Sequence, residues 1–211
     1  MMRRWLLTVG LLLVTALPVQ AHPHVWVTAR SEIQYDASGA VVAIRQIWTF
    51  DDMFSSMATT GLDKDGDKFF SREELAPLAK INVESLQEYD YFTVAKLGDE
   101  REVLLPPTDY WLDFKDNLLT LTFSLPLQKP LKIGTRQLTI SIYDPSYFVD
   151  FSMAPDNPVV MTAAPAGCAL SVHSAGDPDP SLAEKLQIDD FAMAQPGIGA
   201  QFANRIMVNC P

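Results

Sequence analysis

The chain has 211 residues, 48% hydrophobic and 20% charged, with 15 Pro, 10 Gly, 2 Cys and 3 His. That balance suits a globular domain and excludes disorder, collagen-like repeats and coiled coil. A formal net charge of −10 without any Lys/Arg-rich run excludes a nucleic-acid-binding surface, and favours cations or a basic partner.

Met1–Ala21 has the three parts of a secretory signal: a basic start at Arg3 and Arg4, an apolar stretch over Trp5–Leu17, and small residues at the Val19-Gln20-Ala21 cleavage site. The apolar run is shorter than the roughly 20 residues a membrane-spanning helix needs. Cleavage after Ala21 makes His22 the first residue of a soluble periplasmic domain, 22–211, which loses two positive charges with the signal. The new terminus, His22-Pro23-His24, puts a free amine and two imidazoles within three residues, a compact nitrogen set for Ni²⁺, Co²⁺, Zn²⁺ or Cu²⁺. Pro23 has no amide hydrogen, which disfavours the square-planar mode that uses the second backbone nitrogen. A distant ligand would then close the site, the candidates being His173, Asp144 and Asp150.

Residues 24–50 read as a β-hairpin. His24–Thr28 and Ser31–Tyr35 are rich in branched and aromatic residues, Asp36–Gly39 turns the chain, and Val41–Phe50 returns with Val42, Ile44, Gln46 and Trp48 on one side. The period then changes. Asp52–Thr60 reads as a short helix with Met53, Phe54 and Met57 on one face. Glu74–Tyr89 reads as another, with Leu75, Leu78, Ile81 or Asn82, and Leu86 facing a core. Pro77 fits best in a first turn, which argues for a later start to that helix.

Between these helices, Asp63–Glu74 has the 12-residue spacing of an EF-hand calcium loop. Asp63, Asp65, Asp67, Ser71 and Glu74 fall at positions 1, 3, 5, 9 and 12, and the Phe69 carbonyl takes position 7. Ca²⁺ is a hard cation that takes six to eight oxygens at about 2.3–2.6 Å, which a tight acidic loop supplies. Position 6, ordinarily Gly for its positive φ, is Lys68, at about 1 kcal/mol. A single such loop in an exported domain points to a structural clip with a Kd of about 10⁻⁴–10⁻³ M. Ser71–Glu74 also reads as a capping box opening the exit helix.

Residues 91–161 return to short strands: Phe92–Leu97, Glu102–Leu105, Tyr110–Phe114, Leu118–Leu125, Gln137–Tyr143 and Tyr147–Met153, punctuated by Gly, Pro and Asp/Asn turns. Asp177–Pro180 reads as a linker, Ser181–Met193 as a short helix and Ala203–Cys210 as a last strand. The whole is α+β, mainly antiparallel β and sandwich-like, with a helix–loop–helix EF-hand-like insertion at about 52–90. Trp26, Trp48 and Trp111 read as core or sheet-face aromatics. Cys168 and Cys210 lack metal or CxxC spacing, so in an exported chain they read as a structural disulfide worth roughly 3–4 kcal/mol.

His22–Val27, Trp48–Asp51, Asp63–Asp67, Tyr89–Phe92, Tyr143–Asp150 and Gln201–Arg205 together resemble the bacterial domain-of-unknown-function family 1007. The resemblance implies a periplasmic component of an ABC-type transport system, associated with transporters of the nickel/cobalt type. The leading expectation is therefore a non-enzymatic accessory: His22 and His24 present a transition metal to a membrane transporter, and Asp63–Glu74 holds Ca²⁺. The rival is a copper redox enzyme using an N-terminal histidine brace, which the adjacency of His24 disfavours. The third reading is an envelope domain that binds a protein partner and carries calcium only. No Ser/His/Asp or Cys/His set, phosphate-binding Gly-rich loop or acid dyad stands out.

Overall fold

The computed structural model describes residues 23–175 and 198–211. The Met1–Ala21 signal, His22, the Asp177–Pro180 linker and the Ser181–Met193 helix lie outside them. Within them, the 24–50 hairpin forms as β1 (Val25–Tyr35) and β2 (Val41–Phe50), followed by α1 (Asp52–Ala58), α2 (Arg72–Leu86) and a turn over Gln87–Phe92. Strands β3 (Thr93–Leu97), β4 (Glu100–Arg101), β5 (Tyr110–Lys115), β6 (Leu118–Leu131), β7 (Gln137–Ile142), β8 (Val149–Met153), β9 (Val159–Thr162), β10 (Ala169–His173) and β11 (Asn204–Asn209) complete the order.

These strands make two mainly antiparallel sheets that face each other. One runs β5-β6-β2-β1-β8, with β9 also on β1; the other runs β10-β11-β7-β3-β4. The pairings of β1 with β8 and with β9 are the parallel ones. Along β1 the odd residues from Val25 to Tyr35 are buried and the even ones are not, the period-2 signature of a sheet with one covered face. Asp116 and Asn117, with φ of 54° and 63°, form the two-residue turn between β5 and β6, where left-handed residues match strand twist.

Several details differ from the sequence reading. The register of β2 shifts at Val42, so Val41 points inward with Ile44, Gln46 and Trp48, and Val42 does not. One inserted residue exchanges the two faces of a strand. Strand β4 sits at Glu100–Arg101 instead of Glu102–Leu105, and Leu104 makes only a single bridge to Leu127. On α1, Met53 and Met57 are 64% and 67% exposed, whereas Ser55 is buried. The reason is polar: the Ser55 hydroxyl donates to the Asp51 carbonyl and accepts the Leu119 amide, which fixes that face against β6. On α2, Leu75, Ala79 and Val83 are buried, and Asn82, not Ile81, faces inward. The helix begins at Arg72, so Pro77 lies in its interior, on an exposed position; the cap at Ser71 sets the start.

The core runs between the sheets and under α2. Trp48 packs edge-on to Phe123 and Phe151, each at 4.8 Å between ring centroids. Two buried polar side chains join the sheets. Gln46 on β2 accepts the Ser31 hydroxyl (2.7 Å) and donates to Thr93 Oγ1 on β3 (3.1 Å). Asn204 on β11 donates to the Phe151 carbonyl on β8 (2.6 Å). After α2, three consecutive non-glycine residues, Asp90, Tyr91 and Phe92, take left-handed φ of 52°, 55° and 47°. Each such residue costs about 1–2 kcal/mol. Burial of Tyr91 and Phe92, the Arg101–Asp90 ion pair (2.8 Å), and Thr93 Oγ1 donating to the Tyr91 carbonyl (2.9 Å) hold the turn. No helix among the described residues is long and apolar enough to cross a membrane.

Candidate functional site

The acidic loop is built by the segment between the two helices. Asp51 caps α1 by accepting the Phe54 amide, and the helix ends at Ala58, with four residues between it and the loop proper. From Asp63 onward each aspartate folds the backbone over itself. Asp63 accepts the amides of Gly66 (2.7 Å) and Lys68 (3.1 Å), Asp65 that of Asp67 (3.1 Å), and Asp67 that of Phe69 (2.8 Å). These local bonds are the physical reason Asp suits such turns. They bring one carboxylate oxygen of each of Asp63, Asp65 and Asp67 within 4.8 Å of the others, the one such group of metal-ligating side chains among the described residues.

Lys68, the position where glycine was expected, adopts φ 68°, so the backbone takes the left-handed turn in spite of its side chain. Ser71 and Glu74 close the loop from the other end. Ser71 Oγ accepts the Glu74 amide and donates to Glu74 Oε2, while the Ser71 amide also donates to Glu74 Oε2, forming a capping box at the start of α2. Glu74 Oε1 accepts the Lys64 amide at 2.8 Å, which ties the exit helix to the loop's first residues. Glu74 and Ser71 thus belong to the loop but lie outside the converged aspartate trio, and Phe69 is 74% exposed.

Anchors that sequence reasoning missed hold the loop against the sheet. Arg72 makes a two-pronged pair with Asp113 on β5 (2.6 and 2.9 Å) and lies 4.8 Å from the Trp111 ring centroid, while Trp111 Nε1 donates to the same carboxylate. The Phe70 and Phe114 rings meet edge-on at 4.8 Å. The loop spacing and the Ser71–Glu74 capping box were visible in sequence; these partners sit 41 and 44 residues away from Arg72 and Phe70.

The amides of Lys64 and Ser71, with the Ser71 hydroxyl, hold the Glu74 carboxyl down to about 2 from its ordinary 4.5. A lowered folded value means that ionised Glu74 favours the folded state. Its contribution is present above pH 4.5 and is lost as pH falls through about 2. In chelator, Glu74→Gln should therefore be less stable than wild type at neutral pH. The gap in urea midpoint should close between pH 4.5 and about 2; a gap independent of pH would remove this role from the carboxylate.

The histidine candidates are placed differently. Parallel pairing of β1 with β8 brings His24 beside the 144–150 segment: its amide donates to the Phe148 carbonyl (2.9 Å), and the rings lie 4.9 Å apart. Asp150 stands opposite Trp26 in that pairing. Asp144 accepts the amides of Ser146 and Val149 and the Ser146 hydroxyl. The turn is clamped from outside by Phe202 stacked on Tyr147 at 4.1 Å and by Gly199, where any Cβ would collide with the Asp144 carbonyl. His173 lies in the other sheet, paired with Arg205. Among the described residues, His24, Asp144, Asp150 and His173 form no converged three-ligand group. Of the tryptophans, Trp48 is core, Trp111 is half-buried on β5, and Trp26 is 45% exposed on the sheet.

Comparison with known proteins adds a family and two relatives. The family described as "Protein of unknown function (DUF1007)" matches residues 7–210. An "Uncharacterized 15.5 kDa protein in trpE 3'region" of Spirochaeta aurantia is 30% identical over 105 residues, 50% of this chain and 74% of that protein. An "Uncharacterized protein" of Haemophilus influenzae is 21% identical over 215 residues, covering 99% of this chain and 100% of the other. The chain belongs to the DUF1007 family.

Proposed function

We propose that this chain is an exported, non-enzymatic cation-binding accessory protein that works beside a membrane transporter of divalent transition metals of the nickel/cobalt type. Its Asp63–Glu74 loop is an EF-hand-like structural Ca²⁺ site. The observation that carries the reading is the loop itself: three converged carboxylates on a backbone that takes the left-handed turn at Lys68. The three aspartates already converge; Glu74, whose carboxylate accepts the Lys64 and Ser71 amides, would turn toward the cation to complete the oxygen shell. The disulfide between Cys168 and Cys210 supports an oxidising compartment. The proximity of His24 to the 144–150 segment supports a second site, in which His22 and His24 hold Ni²⁺, Co²⁺, Zn²⁺ or Cu²⁺, with Asp144, Asp150 and His173 as further candidate ligands.

The test uses protein processed by its own export signal, stripped with chelator. At a Kd of about 10⁻⁴–10⁻³ M, 10 mM CaCl₂ should stabilise the fold by about 1.4–2.7 kcal/mol, a rise in Tm of roughly 3–10 °C. Asp63→Asn with Asp65→Asn should abolish the rise, and an equal rise in that variant would overturn the loop assignment. Native mass spectrometry with Ni²⁺, Co²⁺, Zn²⁺ and Cu²⁺ should show one transition ion, lost in His22→Ala/His24→Ala; an unchanged spectrum would overturn the histidine site.

A further inference from the structure

The two sheets and the helices leave space at their junction. A cavity of about 460 Å³ lies where the inner face of β1, β2 and β8 passes from cover by the second sheet to cover by α2. Its walls are almost entirely apolar, with Trp48 and Phe151 from the sheet, Leu86 from α2 and Phe92 from the left-handed turn. Tyr89 and Phe148, 49% and 46% exposed, stand among the lining residues as its contact with solvent. The volume falls in the ~300–1,000 Å³ range of small-molecule sites.

Two of the lining residues carry a buried nitrogen donor with no partner among the described residues: Trp48 Nε1, in a side chain 1% exposed, and Asn82 Nδ2. Buried donors are ordinarily satisfied, so an orphaned pair lining one apolar cavity calls for an acceptor. Among the described residues no Lys, Arg or His lines the cavity, and the one acid that does, Asp144, accepts three hydrogen bonds from Ser146 and Val149. An anionic head would find no counter-charge there, and a cationic head only a carboxylate that already accepts three hydrogen bonds. The strained turn at Asp90–Phe92, which delivers Phe92 to the wall, is the kind of backbone found where ligands are gripped.

We propose that this cavity binds a neutral amphipathic molecule: a hydrocarbon body inside, with an uncharged carbonyl-type oxygen accepting from Trp48 Nε1 and Asn82 Nδ2. The site is independent of the cation loop.

The experiment titrates the neutral dye Nile red into the exported chain in chelator, then displaces it with methyl decanoate, sodium decanoate or decyltrimethylammonium. Dye emission should rise, shift to the blue and saturate at one equivalent. The ester should displace it at concentrations at least tenfold below the anion and the cation. Asn82→Leu should weaken ester binding roughly three- to tenfold, and Trp48→Phe, which keeps a ring but not the donor, should do the same. Leu86→Trp, filling the cavity from α2, should abolish dye binding with far-UV circular dichroism unchanged. Absence of saturable dye binding, or binding unmoved by Leu86→Trp, would overturn the site. Decanoate competing as well as its ester, or ester affinity unmoved by Asn82→Leu in a folded variant, would overturn the neutral-acceptor assignment.

Discussion

Replacing Cys168 and Cys210 together with serine should lower the free energy of unfolding by about 4 kcal/mol, and Tm by roughly 8–16 °C, with far-UV circular dichroism little changed at 20 °C. The cysteines are 42 positions apart, so the bridge removes a long loop's closure entropy from the unfolded chain. Ala169 pairs with Asn209 at the end of the β10–β11 ladder, which leaves Cys168 and Cys210 as the next facing positions. The bridge thus closes a ladder that already exists. It also pins an edge strand: among the described residues β10 pairs only with β11, and its residues are exposed or half-buried. Hydrogen exchange should therefore speed up first at Ala169–His173, and only later in β7 and β11, whose inward residues are fully buried. A loss below about 1 kcal/mol in urea would mean that the unfolded chain is already compact around this segment.

The fold was legible where one local rule determines the outcome. Alternation placed β1, β3, β5, β7 and β8, the apolar run over Leu118–Leu125 placed β6, and turn chemistry placed the reversals at Asp36–Gly39 and Asp116-Asn117. Strands β9 and β10 escaped because they are short and mostly uncovered, so that even the alternation of Leu170 and Val172 in β10 spans only five residues. On α1 helical periodicity placed Phe54 against the core but wrongly added Met53 and Met57, because it counts apolar residues and is blind to Ser55, whose hydroxyl serves two backbone groups. The loop was legible from oxygen spacing alone, since its folding is local: nearly every bond within it spans five residues or fewer. The cavity was not legible. Trp48, Phe92 and Phe151 are apolar residues in strands or at a strand end, and a hydrophobic pattern reports burial without reporting whether neighbours fill the space. Nor does any sequence rule announce three left-handed residues at Asp90, Tyr91 and Phe92, because tertiary contacts alone hold them there.

Gln46→Ala should cost about 3–4 kcal/mol, the largest loss expected from a single polar side chain among the described residues. Gln46 is fully buried and spans the sandwich, holding Ser31 on its own sheet and Thr93 on the other. Truncation strands the Ser31 hydroxyl, removes the donor to Thr93 and leaves a void, and each unsatisfied buried group costs about 1–3 kcal/mol. Gln46→Met separates these effects: it keeps the volume and loses only the hydrogen bonds, so its loss should be about 2 kcal/mol. Adding Ser31→Ala and Thr93→Val to Gln46→Met removes the stranded partners and should recover stability to within about 1 kcal/mol of wild type. The recovery should not reach the left-handed turn, because Thr93 Oγ1 is also the donor to the Tyr91 carbonyl. Amide exchange at Asp90–Phe92 should therefore stay fast in the triple variant while global stability returns. A triple variant no more stable than Gln46→Met would show that the network is not what sets the loss. Slow exchange at the turn in that variant would show that burial of Tyr91 and Phe92 alone holds the strained backbone.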